Sequence, residues 1–358
     1  MNKITLMFFI IICILKSVLY STEFTLAVIP DSQNYCDYRY QKTSNPPFAI
    51  NQSEIYKRQI EYIVDNSNSK GGSIYFAIHL GDNVNNFGAK KIEWEIADSV
   101  LSLLDGVLPF GIVPGNHDYD KVWNDNGQWK IKGTKNFEKY FGANSKHFKT
   151  KDWYVDSYKG GVNSCIIFDA NGIKIMFLGL EVQPDDDTIL WAQKTIDKYN
   201  SLPIILVLHD YLVFKDDRKF LGLASLSKDN YRIDEGGNTS QQLWEKLIRK
   251  NKNIFLVLCG HSCKDDDCEN ARTDINDAGY KVYSLLSDYQ SRIKVQNKLG
   301  INDGTRHGGD GLMRLLHFDL DKMQIFVQTY STELLEYEED SNSEFYIDFD
   351  WDWEERFD

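Results

Sequence analysis

Residues 107–118 read VLPFGIVPGNHD, an apolar run that ends at Pro-Gly and is followed by an amide, an imidazole and a carboxylate. A run of branched and aromatic side chains bounded by glycine is typical of a strand that is buried on both faces. The polar cluster behind it predicts a loop at the carboxyl end of that strand. The same arrangement recurs along the chain, and this recurrence predicts the fold.

Four other apolar runs also end in polar residues, and segments with apolar residues at helical spacing lie between them. The runs are 24–29, 73–80, 203–208 and 254–258, and the helical segments are 53–67, 92–104, 190–199 and 240–250. Two further pairs of runs, 165–180 and 313–330, have the pattern of hairpins. Alternation of strands and helices predicts an α/β fold in which ligands collect beyond the carboxyl ends of the strands.

The side chains at the five strand ends are oxygen and imidazole donors. In chain order they are Asp31, Gln33, Asp82, Asn116, His117, His209 and His261. Such donors suit Zn, Mn or Fe better than a metal that prefers thiolates. A carboxylate among them is able to bridge two ions. The sequence therefore predicts a site for one or two divalent metal ions.

The composition excludes some classes of partner and activity. The 358 residues carry a formal charge of −13 and are 42% hydrophobic, which is typical of a globular protein with a large core. A surface of this charge repels phosphate backbones, so we expect no nucleic-acid scaffold as a partner. The chain contains no H-E-x-x-H helix motif, which counts against a zinc hydrolase that acts on amides.

The N-terminus predicts export. Residues 1–21 combine a positive Lys3, an apolar run over 4–15 and small residues near Ser21, which is the pattern of a secretory signal peptide. The run is short for a membrane span, and no later run is longer, so we expect no stable membrane span. The sequons at Asn51 and Asn238 fit a glycoprotein that is secreted or resides in the endolysosomal lumen.

The order of the motifs resembles that of the calcineurin-like metallophosphoesterases over residues 24–265. The motifs are Asp31-x-Gln33, Gly81-Asp82, Gly115-Asn116-His117-Asp118, His209 and Gly260-His261. The opening D-x-Q and the later run 271–290, ARTDINDAGYKVYSLLSDYQ, are similar to one secreted or bacterial branch of this family. The resemblance implies a two-sheet β-sandwich flanked by helices, the αββα fold, over 22–332. An acidic, aromatic C-terminal tail would follow over 333–358.

The resemblance also implies a role for each motif residue. Asp31 and Gln33 would bind the first metal ion. The second ion would be bound by Asp82, which bridges both ions, and by Asn116, His209 and His261. His117 would stabilise the transition state or protonate the leaving oxygen. Apart from the resemblance, we expect the neighbouring Asp118 to orient His117. The implied activity is hydrolysis of a small-molecule, lipid or nucleotide phosphoester by a metal-bound hydroxide that attacks phosphorus in line.

Two residues depart from the family pattern at the first metal ion. Gln33 stands in place of a histidine, and Cys263 stands where the last histidine of G-H-x-H would fall. The alternative function is therefore a non-catalytic metal- or ligand-binding glycoprotein on the same scaffold.

The cysteines leave two interpretations of Cys263. As a thiolate it could bind zinc at the first position. In an oxidising compartment it could instead pair with Cys268, which the short spacing favours. A pairing of Cys36 with Cys165 would then leave Cys259 as a buried free thiol.

Overall fold

The computed structural model describes residues 23–357 except 43, 45–46, 48–49, 86–89, 126–127, 214–224, 264–267, 293–308 and 350–352. The expected signal peptide, 1–21, lies outside the described residues. Within them, no helix has both the length and the apolar character that crossing a membrane requires.

The strands make up most of the regular structure. In chain order they are β1 (Glu23–Ile29), β2 (Ile74–His79), β3 (Phe110–Ile112), β4 (Lys121–Asp125), β5 (Gln128–Lys132), β6 (Tyr154–Tyr158), β7 (Asn163–Ala170), β8 (Ile173–Leu180), β9 (Ile204–Leu208), β10 (Leu212–Val213), β11 (Ser225–Leu226), β12 (Ile254–Cys259), β13 (Glu269–Ile275), β14 (Lys281–Ser287), β15 (Leu312–Asp319), β16 (Gln324–Ser331), β17 (Glu336–Glu338) and β18 (Phe345–Asp348). Each strand predicted from an apolar run is present.

The described helices are fewer than the strands, and three of them are longer than any strand. They are α1 (Gln33–Cys36), α2 (Gln52–Asp65), α3 (Lys91–Leu101), α4 (Lys135–Phe141), α5 (Asp186–Lys198), α6 (Ser240–Leu243) and α7 (Trp353–Phe357). A π-helical turn, Trp244–Ile248, continues α6, and 3₁₀ turns cover Tyr38–Tyr40, Asn68–Lys70, Ser102–Leu104, Asn116–Asp118, Lys159–Gly161 and Ile233–Glu235.

Two seven-stranded sheets face each other and confirm the predicted two-sheet α/β fold. The first has the order β17-β16-β15-β1-β2-β3, with β18 also pairing β16, and the second has the order β13-β14-β12-β9-β8-β7-β6. Aromatic side chains from both sheets fill the space between them, with Phe76 stacked on Phe168 at 4.0 Å between ring centroids. The sheets approach closely at Gly111, where a Cβ would lie 2.6 Å from the ring of Phe177.

Helices cover the outer face of each sheet. α2 and α3 bury Ile60 and Trp94 against Ala27 and Ala77 of the first sheet. α5 and the π-helical turn bury Ile196 and Leu247, among others, against the second sheet. Because the central strands are covered on both faces, they consist almost entirely of apolar residues, as the sequence pattern requires.

The central strands run parallel, and this determines where the site lies. In the first sheet β1, β2 and β3 are parallel neighbours, and in the second β8, β9, β12 and β14 are. Their carboxyl ends therefore meet at one edge of the sandwich, where the predicted ligands follow the strands.

The C-terminal residues extend this architecture. β17 and β18 pair with β16 in the first sheet, and Phe357 of α7 packs against Phe255 of β12. The buried Arg356 guanidinium donates hydrogen bonds to the carbonyls of Lys252 and Ile254 at 2.7 and 2.9 Å. The boundary at 333 between domain and tail stays a prediction, and the structure places strands of the first sheet beyond it.

The cysteines answer the question that the sequence left open. Cys263 is joined to Cys268 by a disulfide bond. The predicted Cys36–Cys165 pairing is wrong, because both are buried free thiols that pack on opposite outer faces of the sandwich. Cys259 is a buried free thiol, as predicted.

The two sequons differ in accessibility. Asn238 is buried, and its Nδ2 donates hydrogen bonds to the carbonyl of Pro184 at 2.9 Å and to the carboxylate of Asp186 at 3.0 Å. A glycan on this atom would replace at least one of these hydrogen bonds, so the burial of Asn238 counts against glycosylation there, and the expectation for this sequon stays a prediction. Asn51 is partly exposed just before α2.

Candidate metal centre

Three of the predicted ligand loops begin with a glycine at which a side chain would collide with a predicted ligand residue. A Cβ at Gly115 would lie 2.1 Å from Oδ1 of Asp82, and one at Gly260 would lie 2.1 Å from Oδ1 of Asp31. A Cβ at Gly81 would lie 2.7 Å from Nδ1 of His209. The glycines of the sequence motifs therefore allow three loops from both sheets to come into contact.

Two predicted ligand residues have strained backbones. Asp82 has φ +49° and His261 has φ +73°, in the left-handed region that disfavours side chains with a Cβ. Such strain costs about 1–3 kcal/mol per residue and is held in place by its surroundings. Here the carboxylate of Asp82 accepts the backbone N–H of His117 at 2.8 Å, and the N–H of His261 donates to Asp31 at 3.1 Å.

The predicted second metal position is assembled around His209. Its Nδ1 lies 2.9 Å from the carbonyl oxygen of Leu80, which can only accept, so Nδ1 carries the proton. In the neutral ring Nε2 then presents a lone pair, and it lies 3.1 Å from Oδ1 of Asn116 and 3.3 Å from Oδ1 of Asp82. Three electron-pair donors thus face one another, an arrangement that a bound cation stabilises.

His261 completes this group. Its ring lies 5.0 Å from that of His209 between centroids, and candidate ligand atoms of Asp82, His209 and His261 all lie within 4.8 Å of one another. Nε2 of His261 contacts the carboxylate of Asp229 at 3.0 Å and the hydroxyl of Tyr231 at 3.3 Å. A carboxylate that holds one ring nitrogen of a histidine is the usual support of a metal-binding imidazole.

The predicted first metal position has a different composition. Asp31 is fully buried, and Gln33 is 2% exposed at the start of α1. Oε1 of Gln33 is buried and has no hydrogen-bond partner in the described part of the chain. An unpaired buried amide oxygen is costly unless an ion or water satisfies it, which fits a ligand role. Cys263 is not available as a thiolate, because its sulfur is bonded to Cys268.

The side chains of His117 and Asp118 contact different groups. Nδ1 of His117 lies 2.6 Å from the carbonyl oxygen of Asn85, so Nδ1 carries the proton and Nε2 is the nitrogen that can exchange one. The carboxylate of Asp118 instead accepts the backbone N–H groups of Asn83 and Gly115, at 2.9 and 2.8 Å. The prediction that Asp118 orients the imidazole of His117 is therefore wrong: it fixes the loops that carry Asp82 and Asn116.

Buried carboxylates dominate the electrostatics. Burial, then the charges of Asp288 and Asp82, raise the pKa of Asp31 well above its usual range. Burial and the charge of Asp82 raise the pKa of Asp118 to about 7. Burial alone would raise the pKa of Asp82, but the histidines around it, His209 foremost, together lower it. The carboxylate forms of Asp31 and Asp118, whose pKa values are raised, would be favoured by added positive charge such as a divalent ion supplies.

Sequence reasoning missed several residues of the site. Asp229 and Tyr231 lie in a polar loop with no recognisable pattern, and they are anchored by the end of β8, where Gln183 donates to the carbonyl of Asp229 at 2.6 Å. Asp288 was also missed, although it follows an apolar strand as the predicted ligands do. That strand signal was available in the sequence.

The residues present therefore fit a divalent cation. At the second position an amide, a carboxylate and an imidazole converge on one region. At the first, a buried carboxylate lies beside an unpaired amide oxygen. Oxygen and imidazole donors together are typical of Zn, Mn and Fe centres.

Comparison with known proteins is consistent with this centre. The family model for calcineurin-like phosphoesterases matches residues 25–281. The uncharacterized protein YvnB of Bacillus subtilis (strain 168) is 28% identical over 289 residues, which are 79% of this chain and 19% of that protein. The chain thus spans about a fifth of the length of YvnB. A probable glycerophosphodiester phosphodiesterase, GpdQ of Arcobacter nitrofigilis, is 20% identical over 226 residues, 61% of this chain and 67% of that protein.

Proposed function

The chain belongs to the calcineurin-like phosphoesterase family, and on that premise we propose that it hydrolyses phosphoester bonds with the help of one or two divalent ions. One observation carries the proposal. Oδ1 of Asn116 and Oδ1 of Asp82 both lie close to Nε2 of His209, and His261 lies beside them. Membership of the D-x-Q branch stays a prediction.

The proposed division of labour follows from the contacts. Divalent ions bound there would supply the positive charge that polarises a phosphoryl group and activates water. We assign Asp82 to both ions because it lies among the second-position donors and follows the strand beside the one that Asp31 follows. His117 is held by Asn85 in the tautomer whose Nε2 can exchange a proton with the leaving oxygen.

Phosphodiesters are the substrates to test first. GpdQ, one of the relatives, is described as a probable glycerophosphodiester phosphodiesterase. We propose a small-molecule, lipid-derived or nucleotide diester, processed by a protein that is exported through its N-terminal residues 1–21. Zn, Mn and Fe are the proposed ions.

Metal analysis combined with a panel of phosphomonoesters and phosphodiesters tests this function. The protein is expected to contain a divalent ion and to lose turnover when the ion is chelated. Asp82→Ala should lose both metal and activity, because this carboxylate is the proposed bridge. Full activity of Asp82→Ala would contradict the assignment.

One observation favours a second candidate, a non-catalytic metal- or ligand-binding protein. The disulfide of Cys263 removes one expected ligand of the first position. A protein that binds metal but turns over no ester of the panel would select this candidate.

A further inference from the structure

The hairpin formed by β4 and β5 follows directly on the loop that carries His117. β4 begins at Lys121, four residues after His117. The base of the hairpin is fixed, because the backbone N–H of Asp120 donates to the carbonyl of Gly133 at 2.8 Å. The carboxylate of Asp120 also accepts the N–H of Lys135 at 2.9 Å, at the start of α4. The hairpin is therefore attached both to the catalytic loop and to a neighbouring helix.

One face of the hairpin is turned toward the body of the protein. The register pairs Val122 with Ile131. Two residues nearer the tip, it pairs Asn124 with Trp129. Side chains two residues apart along a strand point to the same side, so both pairs share one face. Ile131 is buried in a small apolar cluster against which Val122 and Tyr231 pack, and this identifies the shared face as the inner one.

The outer face carries a second tryptophan. Trp123 is paired with Lys130, and Lys121 is paired with Lys132. Trp123 is 39% exposed and Trp129 is 49% exposed. The hairpin thus presents two exposed tryptophans, one on the uncharged inner face and one on the basic outer face.

Tyr231 connects the inner face to the candidate metal centre. Its hydroxyl lies 3.3 Å from Nε2 of His261, and the two rings meet edge to face with 5.5 Å between centroids. The same side chain packs against the cluster that contains Ile131 and Tyr119. Because a strand rises by about 3.4 Å per residue, Trp129 lies about 7 Å beyond Ile131 along β5. Tyr231 and, beyond it, the inner face of the hairpin therefore flank one side of the centre.

The chemistry of the inner face suits a flat ring with polar edges. The side chains that the register places there are uncharged in the described part of the hairpin: Val122, Asn124, Trp129 and Ile131. An indole stacks on aromatic rings, and the amide of Asn124 opposite it can both donate and accept hydrogen bonds. Stacking beside an amide fits a nucleobase better than an alkyl chain, because an alkyl chain has no polar edge for the amide to contact.

We propose that Trp129 stacks on a nucleobase in the ester group of the substrate and that Asn124 contacts the polar edge of this base. The substrate is then a phosphoester of a nucleoside. This inference rests on the proposed phosphoester hydrolase function. It makes Trp129 a specificity-determining residue outside the candidate metal ligands, so its substitution should leave the metal content unchanged.

Kinetics on matched substrates test this role. Adenosine monophosphate and ribose monophosphate, each as the free monoester and as its methyl ester, differ only in the base. Wild type should hydrolyse the adenosine compounds with the higher kcat/KM. Trp129→Ala should lower kcat/KM for them by roughly 5–150-fold, the usual cost of losing one base–aromatic stack, and should leave the values for the ribose compounds unchanged. Trp129→Phe, which keeps a ring, should recover part of the loss.

The second tryptophan provides the matched control. Trp123→Ala removes the same side chain from the opposite face of the same hairpin, and it should match wild type on every substrate. A loss in Trp129→Ala that is equal for adenosine and ribose compounds, or an equal loss in Trp123→Ala, would overturn the proposal. So would a wild type that prefers an alkyl glycerol phosphoester to the adenosine compounds. Should Trp129→Ala fail to fold, Asn124→Ala decides, because it should lower the adenosine values alone, and unchanged values would overturn the proposal.

The outcomes also separate this inference from the proposed function. Calorimetry that shows adenosine monophosphate bound by wild type and bound more weakly by Trp129→Ala, without turnover of any ester, would support the stacking role and contradict the hydrolase. Equal turnover of adenosine compounds by wild type and Trp129→Ala would support the hydrolase and overturn the stacking role.

Discussion

The two metal positions differ in how their ligands are held. At the second, His209 is oriented by the carbonyl of Leu80 and His261 by Asp229, and each follows a central parallel strand. At the first, Gln33 lies on a four-residue helix, and the loop after β12 leads into a disulfide. The second position retains every ligand type of the family, whereas the first does not.

The difference indicates that the number of ligands retained at a metal position depends on the secondary-structure elements that carry them. Where ligands follow buried parallel strands, the sheet fixes their spacing. Where a ligand lies in a loop, a local event such as a disulfide can remove it.

Substitution of two glycines, one beside a carboxylate of each position, tests the two positions separately and with the largest expected effect. Gly115→Ala places a methyl group on the carboxylate of Asp82, and Gly260→Ala places one on that of Asp31. We expect Gly115→Ala to lose both ions and all measurable turnover, and Gly260→Ala to lose only the ion of the first position. Metal analysis of the purified variants measures this. Retention of one ion by Gly115→Ala would show that the positions do not share Asp82.

Substitution of His117 separates the effect on the chemical step from the effect on metal binding at the two positions. His117→Ala should retain the metal content of wild type, because no metal-ligand role is assigned to its ring. Turnover should fall by about 10²–10⁴-fold, the usual contribution of an acid or base catalyst. Steady-state kinetics with metal analysis checks the result, and loss of metal in this variant would give His117 a ligand role instead.

Asp229 tests the support of the second position. Asp229→Asn should weaken metal affinity there by about 10–100-fold, because the carboxylate that orients His261 is lost. Affinity at the first position should not change. Calorimetric titration resolves the two events, and a weakening confined to the first position would contradict the assignment of His261.

The disulfide is expected to have the smallest effect. Cys263→Ser/Cys268→Ser opens a short loop and should lower the free energy of unfolding by about 2 kcal/mol, from the loop-closure entropy. Denaturant titration measures this. A change several times larger would mean that the loop supports the metal positions as well.

Much of the fold and the second position could be predicted from the sequence. Buried parallel strands have nearly continuous apolar runs, and their ends meet at one edge, so the order of the motifs predicts that Asp82 and His209 lie close together. The burial of Asn238 could not be predicted, because it depends on contacts with Pro184 and Asp186, which follow a distant strand.

Other features depend on tertiary contacts that carry no local signal. Asp118 resembles a partner of His117 in sequence, yet folding brings its carboxylate to the N–H groups of Asn83 and Gly115. Asp229 reaches His261 from a loop with no periodicity.

Calorimetric titration of the metal-free protein with Mn²⁺, with turnover of a phosphodiester measured at each point, tests the central claim most directly. The account predicts an inactive metal-free protein, two binding events of unequal affinity, and turnover that rises as the ions bind. Undiminished hydrolysis by the metal-free protein, or no bound Mn²⁺ at any concentration, would contradict it.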